Sequence, residues 1–293
     1  MFPISVLITG CSTGFGRLSA LTLAAAGHRV FATMRAPTGR DADSANGLLE
    51  AACALPGTIE VLALDLRDDA SVLQAVHTAI STAGQLDVVV NNAGVGAIGQ
   101  LEAFSASQLG ALLDINVVGA QRVTRAVLPH MRRRRSGLLI QISASLGRMS
   151  IPFVGPYAAG KFALEAMSEI LAYELAPTGV EVCIVEPGAF GTQFLSSAQS
   201  PDDAERVASY GPLADAPTQM RAAMGAALRS GDAPDPQWVA DAIAELIATP
   251  AGRRPLRTVV DPVDGAGIEA MNRARAEIQA EIHASFHDRG GPE

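Results

Sequence analysis

The chain has 293 residues, 48% hydrophobic and 18% charged, enough for one large α/β domain with a sizeable core. A formal net charge of −8 argues against nucleic acid as the main partner, and no uninterrupted apolar run is long enough for a membrane span. The three scattered cysteines, Cys11, Cys53 and Cys183, lack C-x-x-C spacing and suit reduced thiols in a cytoplasm better than a disulfide framework.

The N-terminus enters an apolar run almost at once, without a basic region or a cleavage site, so no signal peptide is expected. Short apolar or β-branched runs predict strands over 5–9, 28–34, 59–65, 86–92, 137–143 and 180–186, and over 257–261 after a longer gap. They are apolar at nearly every position, as strands of a parallel sheet covered by helices on both faces must be. The stretches 15–26, 68–83, 106–135 and 157–176 are long enough for crossover helices. This is an α/β, doubly wound pattern in a single domain spanning 1–293. Arg132 to Arg135 end one helical stretch, where cations are favourable, and they read as a solvated helix end.

Residues 193–236 break the rhythm with Pro201, Pro212, Pro217, Pro234 and Pro236, interspersed with Phe194, Leu195, Tyr210, Met220 and Met224. So long an apolar insertion predicts a lid over a pocket. A C-terminal extension, 262–293, places Ile268, Met271, Ile278, Ile282 and Phe286 near one helical face, which is predicted to dock.

Directly after the first strand comes "TGCSTGFG", Thr9 to Gly16. A glycine-rich turn from a strand into a helix lets backbone N–H groups and the helix dipole approach a pyrophosphate. Gly10, Gly14 and Gly16 stand where a Cβ would obstruct the turn, the phosphates or the helix–sheet contact. The second strand ends in "VFATMR", with no acid for a ribose 2′-hydroxyl and with Arg35 in place. A guanidinium suits a 2′-phosphate, so the expected cofactor is NADP(H), with Ser12 or Thr13 adding a hydroxyl contact. Further on, Tyr157 and Lys161 lie four apart and share one helix face, a spacing that suits proton transfer. Ser143 and Ser145 straddle Ala144 upstream of them.

These landmarks resemble the short-chain dehydrogenase/reductase family. The likeness covers residues 4 to about 192 and rests on "TGCSTGFG", Asp65, "NNAG" at 91–94, "NVVG" at 116–119, "YAAGK" at 157–161 and "PGAFGT" at 187–192. The "ATMR" segment, the lid and the C-terminal extension look most like the branch of 17β-hydroxysteroid and retinol dehydrogenases and their bacterial relatives. The resemblance implies a Rossmann-type sheet of seven strands and a homodimer or homotetramer. It implies that Tyr157 is the acid–base catalyst, that Lys161 also holds the nicotinamide ribose, and that Asn116 anchors a water that relays protons to Lys161. It places the cofactor along Gly10, Ser12, Thr13, Gly14, Phe15, Gly16, Arg35, Asp65, Leu66, Asn92, Ala93, Gly94, Tyr157, Lys161, Pro187, Gly188 and Thr192. In that scheme Asp65 reaches the adenine and Thr192 the nicotinamide carboxamide.

One landmark departs. The family's serine stands thirteen residues before the tyrosine, and that position here is Ala144. Either the loop is rebent to bring Ser143 or Ser145 into place, or the site works without the hydroxyl; Ser145, beyond the strand, is the candidate. The leading expectation is an NADP(H)-dependent oxidoreductase interconverting a ketone or aldehyde and an alcohol on a bulky apolar substrate. The alternatives are an isomerase, epimerase or dehydratase on the same fold, and a member that binds NADP(H) without turnover. His283 and His287 have ligand-like spacing but no evident third ligand, so no metal is expected, and Glu186 reads as a strand end.

Overall fold

Strand and helix alternate from the start of the chain, and in this computed structural model residues 3–288 are described, with side chains as far as 282. Strand β1 (Ser5–Ile8) leads into α1 (Gly14–Ala25), β2 (Arg29–Met34) into α2 (Ala42–Ala52), and β3 (Thr58–Ala63) into α3 (Asp69–Ala83). Strand β4 (Val88–Asn91) precedes α4 (Ala106–Leu113), a π turn (Asp114–Val118) and α5 (Gly119–Arg134). Then come β5 (Gly137–Ile142), α6 (Gly155–Leu175) and β6 (Val180–Pro187). The segment 193–236 carries α7 (Phe194–Ser197), α8 (Ala204–Ser209) and α9 (Ala216–Ala227); α10 (Gln237–Ala248), β7 (Arg257–Val260) and α11 (Gly265–Asp288) follow.

The strands form one seven-stranded sheet in the order β3-β2-β1-β4-β5-β6-β7. Every pairing is parallel. Val6, Ile8, Val30 and Val90 face one way onto Leu23 of α1, Leu48 of α2 and Ile243 of α10. Leu7, Phe31, Val89 and Leu139 face the other way onto Val76 of α3 and Val127 of α5. That two-sided burial is why these strands are apolar at successive positions, and each fully buried Leu or Ile contributes about 1.5–3 kcal/mol. The edge strands β3 and β7 are covered only in part.

The order reverses between β1 and β4, which opens a crevice at the carboxyl ends of these strands. All the candidate residues gather at that end.

Three expectations need correction. The helical stretch 106–135 is two helices separated by the π turn. The arginine run is not wholly solvated: Arg134 pairs with Asp87 at 2.8 Å and Arg135 donates to the Pro177 carbonyl at 3.1 Å. The C-terminal helix does not dock by its apolar stripe, because only Ile268 of the stripe is buried, whereas Met271, Ile278 and Ile282 are exposed. The side chain of Phe286 lies outside the described residues.

Candidate active site

The turn after β1 is built by glycine. Gly10 and Gly14 have φ of 74° and 57°, a region that side chains disfavour. A Cβ on Gly10 would lie 2.8 Å from that of Ala93, and one on Gly16 would overlap the Gly10 carbonyl. The hydroxyl of Thr9 accepts from the N–H groups of Asn92 and Ala93, each at 3.0 Å, and Asn92 Nδ2 donates to the Thr9 carbonyl at 2.8 Å. These bonds lock the β1 and β4 loops together. The N-cap of α1, Thr13, makes no side-chain cap, so the first N–H groups of the helix stay available to an anion. Ser12 and Thr13 border this turn, half-buried. Phe15 turns elsewhere, its ring 5.5 Å edge-on to Phe190.

At the end of β2, Arg35 is exposed, with no ion pair among the described residues. Asp65 faces Arg67, which binds its carboxylate at two points, 3.1 and 2.7 Å. The hydrogen bond from the Arg67 side chain is the main reason that the Asp65 carboxyl is held down to about 2, with the Arg35 charge adding to it. Sequence reasoning overlooked Arg67, although an arginine two residues after an acid is within reach of it. Leu66 is buried and would meet any Cβ at Gly119, so its side chain belongs to the core.

On α6, Tyr157 and Lys161 are both buried, and Lys161 Nζ lies 5.6 Å from the Tyr157 ring centre. Nζ donates to the Ile142 carbonyl at 2.6 Å. Burial pushes the Lys161 ammonium down to about 8, partly opposed by Glu165, and raises the Tyr157 phenol above its ordinary value. The π turn carries Asn116, whose amide brackets Val95, accepting from its N–H at 2.8 Å and donating to its carbonyl at 2.9 Å. Such a turn inside a helical run often marks a functional site. Gly94 closes the group, since a Cβ there would be 3.1 Å from Asn116 Oδ1 and 3.9 Å from Lys161 Nζ.

Ala144, not a serine, packs with Tyr157, together with Ala97, Phe104 and Leu112. The buried hydroxyl of Ser145 donates to Asp261 Oδ2 at 2.6 Å, so its one proton is committed there. Ser143 is buried beside Gly147, its hydroxyl without a hydrogen-bond partner among the described residues. Alternation along the extended backbone turns both neighbours away from the direction Ala144 takes.

The far wall comes from β6 and the lid. Gly188 N–H donates to the Val260 carbonyl at 2.9 Å, and the Asp261 carboxylate fills the space a Gly188 Cβ would need. Thr192 lies opposite the glycine turn, 3.6 Å from where a Gly14 Cβ would be. The segment 193–236 is stitched to the loop after β4 by Gln199 N–H to the Gly96 carbonyl at 2.9 Å, and by Gln100 Nε2 to the Leu213 carbonyl at 2.9 Å. Phe194 rests on Tyr157.

These residues fit a dinucleotide: an uncapped helix start, a glycine turn without room for side chains, and free positive charge at the end of β2. Behind the site, Glu186 is fully buried, and that burial, with Glu165 nearby, pushes its carboxyl up to about 7. Reading it as a strand end missed its surroundings, because its partners come from distant parts of the chain. Among the described residues no His, Cys, Asp or Glu cluster is able to hold a metal. The side chains of His283 and His287 lie outside the described residues. No described helix is long and apolar enough to cross a membrane.

A sequence profile of the short chain dehydrogenase family matches residues 5–203. The chain is 39% identical over 197 residues to 3-ketodihydrosphingosine reductase of Bacteroides thetaiotaomicron, covering 67% of this chain and 68% of that one. It is 44% identical over 201 residues to 17-beta-hydroxysteroid dehydrogenase type 1 of Mus musculus, covering 66% of this chain and only 56% of the mouse protein. A short-chain dehydrogenase structure from Streptomyces avermitilis superposes with a TM-score of 0.75 at 30% identity, covering 99% of this chain and 98% of that one.

Proposed function

The chain belongs to the short chain dehydrogenase family of oxidoreductases, and on that premise we propose that it is an NADP(H)-dependent carbonyl reductase, or the reverse alcohol dehydrogenase, acting on a bulky apolar substrate. The observation that carries this reading is the buried pair Tyr157 and Lys161 on one face of α6, beside the uncapped glycine turn.

When bound, the nicotinamide cofactor supplies or accepts a hydride. Gly10, Gly14, Gly16 and the first turn of α1 would hold its pyrophosphate, and Arg35 its 2′-phosphate. Asn92, Ala93 and Gly94 would line it, Lys161 would hold the nicotinamide ribose, and Pro187, Gly188 and Thr192 would flank the reactive end. Tyr157 gives its phenolic proton to the substrate oxygen in reduction and takes it back in oxidation. The Lys161 ammonium, 5.6 Å from the Tyr157 ring centre, would favour the phenolate. Asn116 keeps Gly94 and Val95 in place beside Lys161.

Substrate class follows from the lining. Ala97, Phe104 and Ala144 pack around Tyr157, so the carbonyl would sit among apolar groups. The names of the two relatives point to a 3-ketosphingoid and a 17β-hydroxysteroid, both bulky and largely apolar. A second reading, an isomerase, epimerase or dehydratase using the same cofactor, is favoured by one observation: Ala144 offers no hydroxyl to a substrate oxygen. Cofactor oxidation across a panel of bulky ketones separates the two, because the second reading predicts product without net oxidation. A homo-oligomer is part of the proposal, since Phe162, Met167 and Ile170 form an exposed apolar stripe on α6. A monomeric mass in light scattering would remove that part.

A further inference from the structure

The C-terminal helix lies outside the segment that the family profile matches. Its inward face is polar. Ile268, Asn272, Arg275 and Gln279 recur at helical spacing on that face. Ile268 is buried; Asn272 Nδ2 donates to Glu186 Oε2 at 2.6 Å, Arg275 to Glu169 Oε2 at 2.9 Å and Gln279 to the Tyr173 hydroxyl at 3.2 Å. At the root of the helix, Asp261 accepts from Ser145 at 2.6 Å through Oδ2, and from the Val263 and Asp264 N–H groups at 3.0 Å through Oδ1.

Each contact ends on an element that carries part of the site. Ser145 follows Ala144 in the loop after β5, and Glu169 is on α6 with Tyr157 and Lys161. Glu186 immediately precedes Pro187 and Gly188. It is fully buried, with Arg257 Nε 3.4 Å and Arg148 Nε 3.9 Å from its Oε1. Yet Oε1 makes no hydrogen bond, so the Asn272 amide provides the one hydrogen bond to this carboxylate among the described residues. Without that amide, Oε2 has no hydrogen bond and the carboxylate is drawn toward the two guanidinium groups beside Oε1, which shifts it.

We propose that α11 is a working part of the cofactor site, in which Asn272, acting through Glu186, and Asp261, acting through Ser145, are positioning residues for the nicotinamide end. The serine one place out of register is a tether between the loop after β5 and the root of α11. The exposed stripe of Met271, Ile278 and Ile282 takes no part in it. This inference rests on the dinucleotide reading above, with Pro187 and Gly188 beside the nicotinamide.

The test compares two ligands by titration calorimetry, well below the melting temperature of each variant. NADPH spans the whole site, whereas adenosine 2′,5′-bisphosphate occupies only the adenosine half. Asn272→Leu is expected to weaken NADPH about tenfold and Ser145→Ala about threefold, with the adenosine bisphosphate unchanged. Asn272→Gln, which keeps the amide donor, should regain part of the loss, and Ile278→Ser on the outer face should change neither ligand. Unchanged NADPH affinity in folded Asn272→Leu, or parallel weakening of both ligands, would overturn the inference. If Asn272→Leu does not fold, Ser145→Ala decides by the same two outcomes. Should the wild-type protein bind NADH and reject both probes, the cofactor assignment falls. The same comparison with NADH and ADP then decides the role of α11.

Discussion

The ring of Phe194 lies 4.9 Å from that of Tyr157, centre to centre and tilted by 56°, so α7 rests on the proposed proton donor. The same ring occupies the space over Gly96, where a Cβ would come within 2.8 Å of it. A bulky carbonyl that reaches Tyr157 has to displace this ring, at a cost of about 0.5–1.5 kcal/mol for the aromatic pair. Phe194→Ala should therefore raise kcat/KM for bulky ketones about three- to tenfold while leaving small ketones nearly unchanged. A loss of kcat/KM for bulky ketones would make Phe194 a wall of the substrate site instead.

Arg35 is the exposed cation at the end of β2. Losing one charge-assisted phosphate contact costs about 1.5–3 kcal/mol, so Arg35→Ala should reduce the NADPH over NADH preference by about ten- to a hundredfold. Dissociation constants for both cofactors check this. An unchanged ratio would move the assignment to another residue, with Arg67 next in line because it faces Asp65.

Positions 144 and 145 give opposite expectations. Ser145 is committed to Asp261 and Ala144 packs with Tyr157. Ser145→Ala should then lower kcat by less than about threefold, far short of the 10²–10³ typical of a lost oxyanion donor. Ala144→Ser adds a hydroxyl beside Tyr157 and should raise the kcat of ketone reduction. A kcat loss near 10² for Ser145→Ala would mean that its loop rebends when substrate binds.

Lys161 is a buried base whose pKa is lowered to about 8 by desolvation. Its unfolded value is higher, so at pH below about 8 the folded state carries a penalty for keeping it charged. The penalty is relieved as pH rises through the folded value, since only the unfolded chain then still binds the proton. It amounts to about 3 kcal/mol, less whatever the bond to the Ile142 carbonyl returns. Lys161→Met should melt higher than the wild type at pH 7, by an amount that shrinks as pH rises above 8, and should be nearly inactive. A lower melting temperature at pH 7 would show that the carbonyl bond outweighs desolvation.

Much of this was legible in the sequence because it depends on local pattern. The strands are apolar at successive positions because both faces of the sheet are covered, and "TGCSTGFG" requires a turn without room for side chains. Tyr157 and Lys161 share a face by helical spacing alone. The tether from Ser145 to Asp261 spans 116 positions and that from Asn272 to Glu186 spans 86, and no periodicity reports such pairs. The inward face of α11 was misjudged for a related reason. Hydrophobic spacing marks an apolar stripe, but the buried carboxyl groups of Glu169 and Glu186 select the polar face beside it.

In the proposed function, Tyr157 moves the proton in a carbonyl reduction driven by NADPH. The most direct test is the rate of NADPH oxidation by wild type and by Tyr157→Phe over a panel of bulky ketones, with NADPH binding measured on the same samples. The prediction is turnover by wild type on at least one ketone, a loss of about 10²–10⁴ in the variant, and NADPH affinity within about threefold of wild type. Turnover retained by Tyr157→Phe, or NADPH binding by wild type with no ketone reduced, would contradict it.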